Sequence, residues 1–427
     1  MTDHARTDHA RTDYDMVGIG LGPFNLGLAA LAEPVADLDA LFLDARPEFR
    51  WHPGLLLDGA RLQVPFLADL VTLVDPTSRW SFLAYLRARD RLFPFYFAER
   101  FHVPRREYDD YCRWVAQSLP SCRFGSTVDS VRWDGDRFVV ATGGTEVTAR
   151  NVVLGVGTAP VVPAALEPVL GKRVFHAGRY LDQLPALEGT RDVTVVGSGQ
   201  SGAEVFLDLL RRSPDTRVRW LTRSPAFAPM EYSRLGLEHF TPDYTRYFRE
   251  LPEGTRDRLV ARQWQLYKAV SADTLAEIHD VLYDRGIGGR TPAAELMPNV
   301  AVEGAAAHGD GYRLRCRQVE QDRTFEVATD AVVLATGYTA RRPDFLDPAL
   351  VDRDSRGRYR VDEHHRVRLA PGVAGSLFVQ NAELHTHGVG APDLGLGAWR
   401  SATILNALTG REVYRLPART AYTTFGA

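Results

Sequence analysis

Tyr14-Asp-Met-Val-Gly-Ile-Gly20-Leu-Gly22-Pro-Phe-Asn25 and, far along the same chain, Val193-Thr-Val-Val-Gly197-Ser198-Gly199-Gln200-Ser201-Gly202 decide the fold. Each is an apolar run, a glycine turn and the start of a helical stretch. A strand feeding such a turn presents backbone N–H groups and a helix N-terminus to a pyrophosphate. The second loop matches the G-x-G-x-x-G pattern in full. The first departs from it at Asn25, whose amide can hydrogen-bond locally in the third glycine's place. One loop alone says little. Two, on separate βαβ units, imply two dinucleotides meeting in one protein, and hydride transfer from a nicotinamide to a flavin is the economical explanation.

Working outward from the first loop, Asp39-Ala-Leu-Phe-Leu-Asp44 reads as a second strand ending in an acid. It lies about 20 residues past the glycines, where a carboxylate accepts hydrogen bonds from an adenosine ribose. Arg223 stands at the corresponding place after the second loop, and a cation there suits the 2′-phosphate of NADPH in preference to NADH. Asn151–Gly155 and Asp330–Tyr338 read as further strands, each ending in a glycine turn. Residues 108–119 and 235–285 read as helical, with Thr274-x-x-Glu277 as a capping box before Ile278. The expected class is α/β, with two Rossmann-like dinucleotide-binding units, and residues 1–13 read as a disordered tail.

Composition narrows the function classes. The 427 residues are 45% hydrophobic and 25% charged, which suits a globular chain of two or three domains. A net charge of −3 gives no basic footprint for nucleic acid or an anionic membrane. Of the 51 Lys and Arg residues only Lys172 and Lys268 are lysines, a bias that reads as a GC-rich genome. Cys112, Cys122 and Cys316 form no CxxC pair, which favours a reducing, cytoplasmic setting and disfavours a dithiol flavin reductase. No stretch approaches the roughly 20 apolar residues of a membrane span. His385 and His387 lack a third ligand in the sequence pattern and are read as packing and capping residues, so no metal is expected. Asp109-Asp110 reads as a solvated helix face. Trp51-His52 and Gln63 read equally as core or as flavin lining.

Further stretches appear in a fixed order: Phe49-Arg-Trp51-His52-Pro-Gly54, Leu62-Gln63-Val-Pro-Phe-Leu-Ala68-Asp69-Leu70, Asp75-Pro-Thr-Ser78, Val195–Ser201, Ala335-Thr-Gly-Tyr338, and the tail His385-Thr-His-Gly-Val-Gly-Ala-Pro-Asp393-Leu394-Gly395-Leu-Gly-Ala-Trp-Arg400. In these the chain resembles the flavin-dependent N-hydroxylating monooxygenases of siderophore biosynthesis, and its tail is similar to the lysine and diamine branch. The resemblance implies FAD beside Gly20, Gly22, Asn25, Asp44, Trp51, His52, Gln63, Val128, Asp393 and Leu394. It implies NADPH beside Gly197, Ser198, Gly199, Gln200, Ser201, Gly202 and Arg223, and substrate beside Gln63, Ala68 and Gly395. It also implies an FAD-binding domain built from both ends of the chain, at 14–187 and 331–427, with an NADPH-binding domain at 188–234 and 286–330 and a helical substrate-binding insertion at 235–285. A homo-oligomer, often a tetramer, and oxygen transfer to an amine from a flavin C4a-hydroperoxide are implied as well.

One departure bears on substrate. Relatives acting on ornithine or lysine carry a lysine where Ala68 stands, as a cation for the α-carboxylate. A buried carboxylate without a partner costs several kcal/mol, so an aliphatic diamine is expected, cadaverine and then putrescine. L-Lysine is the alternative, with Arg79 as the substitute cation. A Baeyer–Villiger or sulfur-oxidising monooxygenase and a non-catalytic nucleotide-binding redox sensor are the remaining readings. No residue is identified as a general base.

Overall fold

The computed structural model describes residues 13–427. The expected tail lies outside them except for Asp13, which opens the first strand and pairs with Thr148. That strand, Asp13–Ile19, runs parallel to Ala40–Leu43 on one side and to Thr145–Leu154 on the other. Ser376–Val379, from the last part of the chain, adds in parallel beyond Thr145–Leu154. The full order is Arg366–Val367, Ser376–Val379, Thr145–Leu154, Asp13–Ile19, Ala40–Leu43 and Cys122–Arg123, with Val128–Trp133 and Phe138–Thr142 paired off Thr145–Leu154. The central strands are continuous apolar runs because helices cover the sheet, among them Pro23–Ala32, Arg105–Ser118 and Gly397–Thr409.

A second, five-stranded parallel sheet has the order Ala294–Met297, Arg217–Leu221, Asp192–Val196, Ala331–Leu334 and Val174–His176. Trp220, fully buried, lies between Phe206 at 5.1 Å and Phe227 at 4.0 Å between ring centres. An antiparallel meander, Val300–His308, Gly311–Gln318 and Arg323–Thr329, follows it. The chain passes between the two sheets at Thr158–Pro160 and returns at Tyr338–Ala340, and these two short strands pair antiparallel.

Strand pairing moves several expected boundaries. Val174–His176 and Ala331–Leu334, assigned by the sequence to the FAD segments, belong to the second sheet. The insertion 235–285 is divided. Pro242–Glu250 and Glu253–Arg262 lie against Leu384–His387 of the first domain. Ala272–Gly286 instead lies against Gln200–Arg212 and forms the crossover from Arg217–Leu221 to Ala294–Met297. Its N-cap is Ser271, whose hydroxyl accepts from the Thr274 amide at 3.3 Å. The helix therefore starts one turn before the expected capping box.

Candidate active site

At the first loop Gly20 has φ +87°, and a Cβ on it would stand 2.5 Å from the Gly155 carbonyl oxygen, so only glycine closes this turn. Gly22 is the N-cap of Pro23–Ala32, with proline at the first helical position. A Cβ on Gly22 would meet nothing within 4 Å. Its open side and the helix N-terminus form a cradle that suits a diphosphate. Asn25 is fully buried, and its Nδ2 donates to the Gly20 carbonyl at 2.8 Å while its Oδ1 accepts from Gln380 Nε2 at 2.7 Å. Gly155 makes room for it, since a Cβ there would fall 2.4 Å from the Asn25 side chain. The glycine missing from the loop is replaced by one on the neighbouring strand.

Asp44 Oδ2 accepts from the Leu21 amide at 2.7 Å and from Arg46 Nη2 at 2.8 Å. Its Oδ1 accepts from the Arg46 amide at 2.8 Å and Arg46 Nε at 3.0 Å. Burial alone would raise this carboxyl, but the bonds from Arg46 and Leu21 outweigh it and hold the pKa below the ordinary value. Four donors fill the lone pairs of a carboxylate. Asp44 thus fastens the loop to the strand end. Val128 begins the adjoining strand, two residues after Ser126, whose amide donates to the Asp44 carbonyl at 2.8 Å.

Beyond the loop the aromatic segment closes in. The Trp51 amide donates to Asp109 Oδ1 at 2.7 Å, and Asp109, 2% exposed, also pairs with Arg113. Asp109 is therefore a buried holder of this segment and not part of a solvated helix face. Trp51 meets His52 edge-on at 5.1 Å and Tyr108 at 5.0 Å. Burial, then the charges of Arg105 and Arg46, lower the His52 imidazole to about 4, so it is neutral at pH 7. Tyr338 lies 5.9 Å from the His52 ring and 4.9 Å from His176. The Tyr338 hydroxyl and Gln63 Nε2 are buried without a protein partner. Buried polar atoms of this kind call for a ligand's polar edge, and a flavin supplies one.

At the second loop Gly197 has φ +119°, and a Cβ there would stand 2.2 Å from the Ala335 carbonyl oxygen. A Cβ on Gly202 would meet the Gly197 carbonyl at the same 2.2 Å, so the third glycine lets helix and strand approach. Gln200, the first residue of the helix, donates to Glu204 at 2.8 Å and Thr274 at 3.0 Å and accepts from the Ser271 amide at 2.8 Å. Ser198 follows Gly197, and its Oγ lies 3.2 Å from Ser224 Oγ, while Arg223 beside it is exposed. Ser201 sits in the first helical turn. Glu204 also takes a two-pronged bond from Arg105, at 2.7 and 2.6 Å. Arg105 belongs to the first domain and donates again to the Leu55 carbonyl at 3.3 Å. This part-buried fork joins the two nucleotide domains one helical turn from the second glycine loop, and no motif or spacing signals it.

The remaining expected residues meet between these loops. Ala68 is buried, and a Cβ on Gly395 would lie 3.9 Å from the Ala68 Cβ and 2.8 Å from Asp393 Oδ1. Asp393 Oδ1 accepts from the Gly395 amide at 2.8 Å, and Leu394 begins the short helical turn between them. Burial pushes the Asp393 carboxyl up to about 6 against the pull of that amide and of Arg400. The Tyr232 hydroxyl donates to the Gln63 carbonyl, and burial and then the Asp393 charge push its phenol up to about 12. Gln63, Ala68, Tyr232, Asp393 and Gly395 thus share one corner. Arg79 is elsewhere, paired with Glu33 and stacked over Trp80 at 4.7 Å. His385 bonds the Tyr359 carbonyl at 2.8 Å, and His387 stacks on His365 at 4.2 Å. Among the described residues no helix is long and apolar enough to cross a membrane.

Two parallel-sheet nucleotide domains, each with a glycine turn after its first strand and joined by paired linker strands, define a flavin- and nicotinamide-dependent oxidoreductase. Residues 12–340 match the family described as L-lysine 6-monooxygenase/L-ornithine 5-monooxygenase, and the chain belongs to it. It is an N-hydroxylating flavin monooxygenase. It is 47% identical to the rhizobactin siderophore biosynthesis protein RhbE of Rhizobium meliloti, over 97% of this chain and 95% of that one. It is 42% identical to the putrescine N-hydroxylase of Shewanella oneidensis, over 96% of this chain and 84% of that one. Among solved structures it is similar to FAD-bound DfoA, the desferrioxamine-pathway cadaverine monooxygenase of Erwinia amylovora. That match has a TM-score of 0.92 at 38% identity and covers 98% of this chain and 99% of the other.

Proposed function

We propose that this enzyme uses FAD, NADPH and O2 to hydroxylate one terminal amine of an aliphatic diamine, cadaverine ahead of putrescine, for a hydroxamate siderophore. One oxygen atom goes to nitrogen, the other leaves as water, and NADPH supplies the two electrons. Bound FAD supplies the oxygen-transfer chemistry, and the chain supplies position and dryness. Gly20, Gly22 and Asn25, with Asp44 and Arg46 fastening the turn, hold the diphosphate end; Trp51, His52, Gln63, Val128, Asp393 and Leu394 surround the rest. The second loop and Arg223 hold NADPH. The reading includes a cytoplasmic homo-oligomer.

The observation that carries the substrate assignment is that Ala68 and Asp393 both border Gly395. Where an amino-acid hydroxylase needs a cation for the α-carboxylate, this corner has a methyl group beside a carboxylate. It accepts the second ammonium of a diamine and repels a carboxylate, and Arg79 is too engaged with Glu33 to reverse that sign. The reacting amine must be neutral, because an alkylammonium with pKa near 10.4 has no free lone pair at pH 7. Withdrawal of the amine from water on binding favours that form.

Asp393→Asn tests the assignment. With FAD content equal to wild type, KM for cadaverine is expected to rise about tenfold, the scale of one charged hydrogen bond, with kcat changed less. In wild type the same KM should rise as pH falls through about 6, because Asp393 is anionic above that value and neutral below it. A KM unmoved by both the substitution and the pH would refute the assignment.

A further inference from the structure

Arg400 is 2% exposed and stands on the helix Gly397–Thr409, directly after the substrate corner. Its Nη2 donates to the Ala391 carbonyl at 2.6 Å and to the Gly390 carbonyl at 3.2 Å. The Gly390 carbonyl also accepts from the Asp393 amide at 3.2 Å. One oxygen is therefore shared between the guanidinium and the residue that faces the substrate. A Cβ on Gly390 would stand 2.5 Å from the Leu396 side chain, so this turn is packed closely on the one that follows it. The guanidinium carbon of Arg400 lies 4.6 Å from the centre of the Phe24 ring. Phe24 is in the first turn of the helix that Gly22 caps, and a Cβ on Gly397 would lie 3.3 Å from the same ring. Arg400 thus touches both the flavin cradle and the turn that carries Asp393.

The guanidinium is held in its turn. Its Nε lies 3.2 Å from Oε1 of Glu383, which has no exposed surface. Glu383 Oε2 accepts from the Ala382 amide at 2.6 Å, and Oε1 lies 3.5 Å from Nδ1 of His365. Burial holds the His365 imidazole well below its ordinary pKa, so Arg400 is the cation that balances Glu383. A buried ion pair is weak evidence for stability, since apolar residues of similar volume often serve as well. Geometry accounts for this one better. A guanidinium aims several N–H donors from one rigid plane, here at a carboxylate and two carbonyls, and no apolar side chain does that.

We propose that Arg400, fixed by Glu383, is a positioning residue for the substrate. It sets the Gly390–Asp393 turn, and with it the Asp393 carboxylate, at one place relative to the flavin cradle. The inference rests on the assignment of Asp393 to the second ammonium of the diamine. When that carboxylate is free to shift, the ammonium is held less well and the amine at the other end of the substrate is misplaced.

The test is a mutant cycle on the FAD-loaded enzyme, with rates expressed per bound flavin. Arg400→Met is combined with Glu383→Leu, so that no buried charge is left alone and the fold is kept. KM for cadaverine is expected to rise about fivefold, the scale of one neutral hydrogen bond. In an Asp393→Asn background the same pair of substitutions should add less than twofold, because the carboxylate they position is already gone. Arg400→Lys keeps a charge opposite Glu383 without the planar donors. It should give a smaller rise with the same dependence on Asp393. A wild-type KM in both Arg400 variants, with Asp393→Asn raising it, would overturn the proposal and leave the Asp393 assignment standing. An equal rise in both backgrounds would also overturn it, since a general disturbance of the site multiplies with Asp393→Asn instead of acting through it. A KM that Asp393→Asn does not move would remove the assignment and the proposal together.

Discussion

The two glycine loops share a sequence pattern and differ in how the protein treats them. The first is tied from every side. Asp44 accepts from the Leu21 amide, Arg46 donates to the Leu21 carbonyl and to Asp44, and buried Asn25 links Gly20 to Gln380. The second is tied at its base, through Gln200, Glu204 and Trp220, whose indole donates to the Gly197 carbonyl at 2.7 Å. At its outer edge Arg223 is open to water, Ser224 is partly so, and Arg223 forms no ion pair among the described residues. A closed polar network fixes a turn for a cofactor that stays, and an open cationic edge suits a nucleotide that enters and leaves each cycle. Between the loops the Arg105–Glu204 fork sets one domain against the other.

The contrast breaks most directly at Gly22. Gly22→Val places a branched side chain in the open cradle, where its Cβ meets no protein atom within 4 Å. The fold should survive, while FAD affinity falls on the order of a hundredfold through loss of charge-assisted contacts to the diphosphate. NADP+ affinity should stay within a factor of two. A yellow protein with wild-type flavin content would remove the first loop from the flavin site.

A smaller effect is expected at the joint. Glu204→Gln leaves Arg105 with a neutral partner at a buried site, a loss of about 1–3 kcal/mol. FAD content should be unchanged, and anaerobic flavin reduction by NADPH should slow roughly tenfold if that energy holds the hydride-transfer geometry. Reduction at the wild-type rate would make the fork structural and the domain placement independent of it.

Much of this arrangement was legible in the residues, because period and spacing encode it. The apolar runs before Gly20 and Gly197, and the strand ends at Asp44 and Arg223, stand where the sequence places them. What escaped is what only pairing across the chain decides. Val174–His176 and Ala331–Leu334 are short buried runs whose composition fits either sheet. The hold of Arg46 on Asp44 was not legible, since it depends on a local turn that doubles back. Asp109 looked like a solvated acid because its partner, the Trp51 amide, is a backbone group far away in sequence. Arg105 and Glu204 are 99 residues apart, and each alone is an ordinary charge on an amphipathic helix.

The substrate corner is the central claim, and one measurement bears on it most directly. Hydroxylamine formation is followed for cadaverine, putrescine, L-lysine and L-ornithine side by side, with NADPH oxidation recorded in parallel. Cadaverine and then putrescine should give the highest kcat/KM, with product formed in step with NADPH consumed. Both amino acids should fall at least tenfold lower, because Asp393 and Ala68 offer their carboxylate repulsion and no cation. Efficient hydroxylation of lysine or ornithine, with both diamines poor, would contradict the account.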